Sequence, residues 1–143
     1  MIDINYSLRI AYYAALNGIA GVPVFYQSLP PNVSPDNYIV FRSITNTDAG
    51  TKSSNETNTN ITVEIHTWND SLNNGLSADL VAREVYNRIY ANPQFVLTLG
   101  GAQMVSTRLG NDVTQDAITI NNRDYVSRFI TFKHLIFQVS DIS

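Results

Sequence analysis

The chain has 143 residues, enough for one core, and carries a net charge of -3 with a pI near 5.1. Only 15% of residues are charged and no Lys/Arg run occurs, which excludes a protein whose main task is to neutralise phosphates. Cysteine is absent, which excludes disulfide frameworks, thiolate nucleophiles and zinc-thiolate centres.

The start, "MIDINYSLRIAYYAALNGIAG", has an early acidic residue and an internal Arg, unlike the basic and then apolar pattern of a signal peptide. No stretch is long and apolar enough to suggest a membrane span. Within it Ile4, Leu8, Ala11, Tyr12, Ala15 and Leu16 recur at helical spacing, so the first element is an amphipathic helix. Gly18 and Gly21 end it. "VPVFYQSLPPNVSPDNY" reads as a short strand at Val24 to Tyr26 and a Pro-rich loop, confined to the surface or a sheet edge because proline cannot donate to a ladder.

"NYIVFRSIT" is rich in β-branched and aromatic residues, and "NITVEIHTW" sets Ile61, Val63 and Ile65 against Thr62, Glu64 and His66. They read as two antiparallel neighbours. "NNGLSADLVAREVYNRIYANP" is a second helix, with Ala78, Val81, Ala82, Val85 and Ile89 inward and Asp79, Arg83, Glu84 and Arg88 outward. "FVLTLGGAQMVSTRLGNDVT" reads as two short strands turned at Gly100-Gly101. The last strand, "DYVSRFITFKHLIF", alternates and then turns almost wholly apolar at Leu135 to Phe137, so that end is deeply buried or pairs with another subunit.

This order predicts a single α+β domain over 1–143, with a mainly antiparallel sheet and both helices on one face. A long polar β-hairpin or loop protrudes at 47–60, and 138–143 form a polar tail. Thr47 to Asn60 holds one alanine, no larger apolar residue and three charges, Asp48, Lys52 and Glu56. If its flanking strands run on as a two-stranded ribbon, the arm reaches about 20 Å and is marginal in water unless another chain holds it.

Chemistry-bearing residues are sparse. His66 and Glu64 share a strand face, His134 is the other histidine, and Asp112, Asp116 and Asp124 flank a turn region. Two ligands at i and i+2 are too few for a metal site, and solvated turn acids explain the aspartates. No glycine pattern cradles a phosphate and no Gly-x-Ser-x-Gly elbow occurs. No catalytic, cofactor-binding or metal-ligating residue is therefore assigned. Trp68, at a strand end, either caps the core or anchors a partner.

The layout "LRIAYYAALNGI", "PVFYQSLPPNVS" into "PDNYIVFRSI", a polar gap, "NITVEIHTWND" before "LSADLVAREVYNRI", then "FVLTLGGAQMVSTRLGNDVTQD" and "YVSRFITFKHLIF" resembles the tailed-phage tail terminator and head-tail joining family. The resemblance covers nearly the whole chain and rests on layout and loose local patterns. It implies a non-enzymatic virion protein, without cofactors, forming a ring of six subunits at the neck. Such a ring caps the tail tube and docks onto head-completion or portal proteins, while DNA passes through the lumen without sequence-specific binding. Assembly would take place in the host cytoplasm. An adaptor ring of a short-tailed phage, matched to a twelve-fold portal, fits the same residues.

The weakly charged surface suits a subunit packed against its copies. Candidate contacts are Asp48, Lys52 and Glu56 in the arm, Trp68, and Arg108 and Arg128 as partners in inter-subunit ion pairs. The rivals are a small-ligand-binding or hydrolytic domain using His66, Glu64 and a turn aspartate, and a monomeric module that adds a peptide strand to its edge.

Overall fold

The computed structural model describes residues 4–32, 37–48, 56–70, 78–90, 102–115, 118–120 and 123–138. Helix α1 (Ile4–Leu16) is followed by a 3₁₀ turn at Ile19–Gly21, strands β1 (Val24–Tyr26), β2 (Tyr38–Asp48) and β3 (Glu56–Asp70), and helix α2 (Ala78–Val85). A π-helical turn, Tyr86–Tyr90, extends α2 before β4 (Ala102–Thr114), β5 (Ile118–Ile120) and β6 (Arg123–Gln138). One sheet holds all the strands in the order β1-β2-β3-β6-β4, with β5 also paired to β6. Among the described residues, only the β1–β2 pair is parallel. The expected α+β architecture with a mainly antiparallel sheet and two helices is the one observed.

Both helices bury their predicted stripes against the same sheet face. Leu8, Tyr12 and Leu16 of α1 and Val81, Ala82 and Val85 of α2 form one cluster with Ile39, Phe41, Ile61, Val63, Ile65, Ile130, Phe132 and Ile136. On each strand these sheet residues are two apart, or four where the buried His134 stands between Phe132 and Ile136, as a pleat requires. Gly18 ends α1 at φ 86°, a conformation that strains any side chain. The carbonyls left open there are covered by Arg88, whose Nη1 donates to the carbonyls of Ala15 at 3.1 Å and Asn17 at 2.9 Å. Sequence pattern placed Arg88 outward, but it reaches back from the π-helical turn to cap the other helix. Arg88→Ala is expected to lower stability by about 1 to 2 kcal/mol, the range for hydrogen bonds from a charged donor, measured by urea unfolding.

Two expectations need correction. The polar arm is largely sheet: β2 and β3 stay paired out to Asp48↔Thr57, and Glu56 to Asn60 also pair on their other side with Lys133 to Phe137. It is therefore a multi-stranded extension rather than an isolated ribbon, and only residues 49–55 of it, Lys52 among them, lie outside the described set. Thr59, a nominal arm residue, is fully buried and donates to Asn46 Oδ1 at 2.8 Å, while Asn46 Nδ2 donates to Asn5 Oδ1 on α1 at 2.5 Å. Polar residues can line this part of the molecule because they satisfy one another.

Second, β4 is a 13-residue strand, not a short one. It is broken by register shifts at Met104/Ser106 and Leu109/Asn111. Gly110 sits in the second of these, where a Cβ would come within 3.1 to 3.2 Å of the Lys133 side chain and the Thr131 carbonyl. The expected Gly100-Gly101 hairpin lies outside the described residues. The apolar end of β6, read as deeply buried or paired with another subunit, lies between β3 and β4 within the chain: Leu135 to Phe137 have ladder partners on both sides and Ile136 is fully buried.

Candidate functional site

The sheet face away from the helices gathers the residues that sequence singled out for chemistry. Cross-strand register places Glu64 opposite Phe129, His66 opposite Ser127 and Thr62 opposite Thr131. His66 Nδ1 lies 2.9 Å from Ser127 Oγ, and its Nε2 lies 3.2 Å from Glu64 Oε1. The serine was not foreseen, because it comes from a strand 61 residues away. Its partnership has the outline of a nucleophile, base and carboxylate.

The surroundings give that trio another role. Arg42 grips the Glu64 carboxylate, with Nε at 2.5 Å and Nη2 at 2.9 Å, so the acid is already paired with a full cation. The His66 ring stacks on Tyr38 at 4.7 Å and meets the edge of Phe129 at 6.0 Å. Ser127 sits in mid-ladder, and its carbonyl accepts from the Gln115 amide at 2.9 Å. A nucleophilic serine needs donors aimed at a developing oxyanion, whereas a strand interior commits its amides to the ladder. Arg42, Glu64, His66 and Ser127 therefore form a ladder of cross-strand pairs that sets the β2–β3–β6 register. No group of three or more metal-ligating side chains occurs among the described residues.

The turn aspartates are engaged elsewhere. Asp124 accepts from Thr119 Oγ1 at 2.6 Å, and Asp116 lies outside the described residues. Asp112 is clamped by Arg128, Nε to Oδ1 at 2.9 Å and Nη2 to Oδ2 at 2.6 Å, while Arg128 Nη1 donates to Asp79 at 2.9 Å. Tyr86 completes the knot by donating to Asp112 Oδ2 at 2.5 Å. The hydrogen bonds from Arg128 hold the Asp112 carboxyl below its ordinary pKa. Burial, followed by the bond to Asp112, pushes the Tyr86 phenol up to about 12. Arg128, expected in an inter-subunit ion pair, thus ties α2, the π-helical turn, β4 and β6 together inside one chain.

The other contact candidates are scattered. Glu56 is half-buried in β3 opposite Phe137. Asp48 ends β2, with its side chain outside the described set. Trp68 is half-buried and, by strand alternation from the buried Thr67, faces away from the helices, so it does not cap the helix-side core. Arg108 is exposed on β4 opposite Lys133.

Among the described residues, no strand pairs with the outer side of β1 or of β4. The outer edge of β4 shows Val105, Leu109 and Val113, each more than 40% exposed. At the far edge, the three-residue β1 and helix α1 enclose a groove of about 570 Å³ lined by Ile10, Tyr13, Ala14, Val24, Phe25 and Tyr26, with Arg9 and Pro30 at its margins. The Arg9 guanidinium lies 4.8 Å from the centre of the Tyr26 ring. Apolar strand edges are normally covered, bulged or charged in a folded protein.

A mainly antiparallel α+β sheet with two helices on one face is the class this geometry defines. A chain from the virion of a native gene transfer agent particle has the same fold: it superposes with a TM-score of 0.65 over 96% of this chain and 99% of its own, at 14% identity. A second solved chain aligns at a TM-score of 0.49 and 15% identity over 91% of this chain and 94% of its own. No protein-family model matches the sequence, and no curated protein does.

Proposed function

We propose that this chain is a structural virion protein that assembles with copies of itself into a ring at the junction of head and tail. The observation that carries the reading is the end-to-end fold match to a chain of a gene transfer agent virion. It is joined by two terminal strands, β1 and β4, whose outer sides have no strand partner among the described residues, and by a weakly charged composition. A head-to-tail contact repeated around a closed ring covers both edges in every copy, which a two-fold dimer does not. In this role the ring caps the tail tube, stops its growth and presents a surface to head-completion or portal proteins, with DNA passing through its lumen. Six copies suit a tail tube, and twelve suit an adaptor on a portal.

Particles made without this chain are expected to carry tails of uncontrolled length or tails detached from heads, with complementation restoring both. Normal joined particles lacking the protein would overturn the proposal. His66→Ala is expected to leave assembly unchanged and to cost about 1 kcal/mol or less, the scale of a cross-strand pair, measured by thermal unfolding.

A further inference from the structure

The geometry points to the α1–β1 groove as the docking site for residues Val139 to Ser143 of a second copy of this chain, added as a short strand along β1. The inference rests on the self-assembly reading above and gives one of its contacts a chemistry.

The groove has the parts that strand addition needs. In β1, Ile39 N–H donates to the Pro23 carbonyl and Gln27 N–H donates to the Phe41 carbonyl. The alternation of the ladder then turns the backbone groups of Val24 and the N–H of Tyr26 toward the open edge. Beside that edge lie an apolar floor and the α1 wall, where Ile10 and Tyr13 are 38% and 50% exposed. An extended segment with one aliphatic side chain fits such a groove, backbone bonds giving affinity and the pocket giving selectivity.

Charge selects the segment. Arg9 is the cation at the groove, and no carboxylate pairs with it among the described residues. Residues 139–143 read Val-Ser-Asp-Ile-Ser. Extended, Ile142 can enter the apolar floor while Asp141, its neighbour, lies at the rim beside Arg9.

The segment must come from another copy. β6 ends at Gln138 beside the Asp48–Thr57 end of the sheet, and the groove lies beside Phe41, three strands across. At about 3.3 Å per residue and 4.8 Å per strand spacing, that separation is roughly 27 Å. Five extended residues span about 17 Å. β6 also runs away from the groove as it ends at Gln138.

The test uses a fluorescein-labelled peptide of Phe137 to Ser143 and the full chain carrying Asp141→Lys, whose own segment cannot pair with Arg9. Fluorescence anisotropy should show saturable binding, weakened at least about tenfold when Arg9→Glu is added and similarly by the neutral Arg9→Gln. A peptide with Asp141→Lys should bind the Arg9→Glu chain at least about tenfold better than the parent peptide does, which also certifies that this variant is folded. Absence of saturable binding, or binding indifferent to Arg9, overturns the inference. The assembly reading is separated by mass: oligomeric wild type without peptide binding sinks this contact alone. A monomeric wild type that binds peptide through Arg9 sinks the ring and leaves the docking site.

Discussion

Arg128→Met is expected to lower the unfolding free energy by about 3 kcal/mol, because it leaves the Asp112 carboxylate enclosed without its cation. The Asp112 and Arg128 side chains are only 20% and 18% exposed, so water substitutes poorly for the lost partner. The methionine keeps most of the volume, which assigns the loss to charge and hydrogen bonding rather than to a cavity. Asp79, 82% exposed, adds little to this sum. The knot joins α2, the π-helical turn, β4 and β6, so the variant should also loosen β4. Urea unfolding, with hydrogen exchange along β4, measures both effects. The double variant Arg128→Met/Asp112→Leu should recover much of the loss, since no buried charge then remains unpaired.

Acid should destabilise the protein through His134 before its carboxylates titrate. This histidine is 1% exposed on the helix side of β6, with Nε2 against the Tyr12 hydroxyl and Nδ1 3.1 Å from Thr107 Oγ1. Two hydroxyls satisfy a neutral ring, and burial holds its pKa down at about 4 against the ordinary 6.5. Between those values the unfolded chain takes up a proton that the folded chain refuses. Stability is therefore constant in this group above about pH 6.5 and falls as pH drops toward 4, by about 3 kcal/mol in all. Asp112 acts in a lower window: its depressed pKa gives stability that is present above pH 3.8 and lost as pH falls through the folded value. Denaturant titrations from pH 7.5 to 4 should show the slope in wild type and a flatter profile in His134→Asn.

Local pattern and long-range pairing explain what was legible in the sequence. The inward faces of α1 and α2 and the alternation of β3 were read correctly, because helical and pleated periods are properties of adjacent residues. Thr59 and His134 were not read as interior, since polar residues enter a core only when partners arrive from elsewhere: Asn46 for one, Tyr12 and Thr107 for the other. The same reason hid the Arg128 knot, whose acceptors lie 16 and 49 residues away. The arm, read as a hairpin or loop, gains a third strand that local pattern could not show, because β6, which pairs with Glu56 to Asn60, comes more than seventy residues later in the chain. Of the candidate site, low charge in the sequence was the signal behind the proposal of a surface for other copies. The two terminal strands proposed to carry that surface could be named only from the strand order.

The central claim is self-assembly, and the solution mass by native mass spectrometry tests it most directly. A closed ring predicts one discrete species at six or twelve times the 15.9 kDa chain, persisting on dilution. A monomer at every concentration would contradict it.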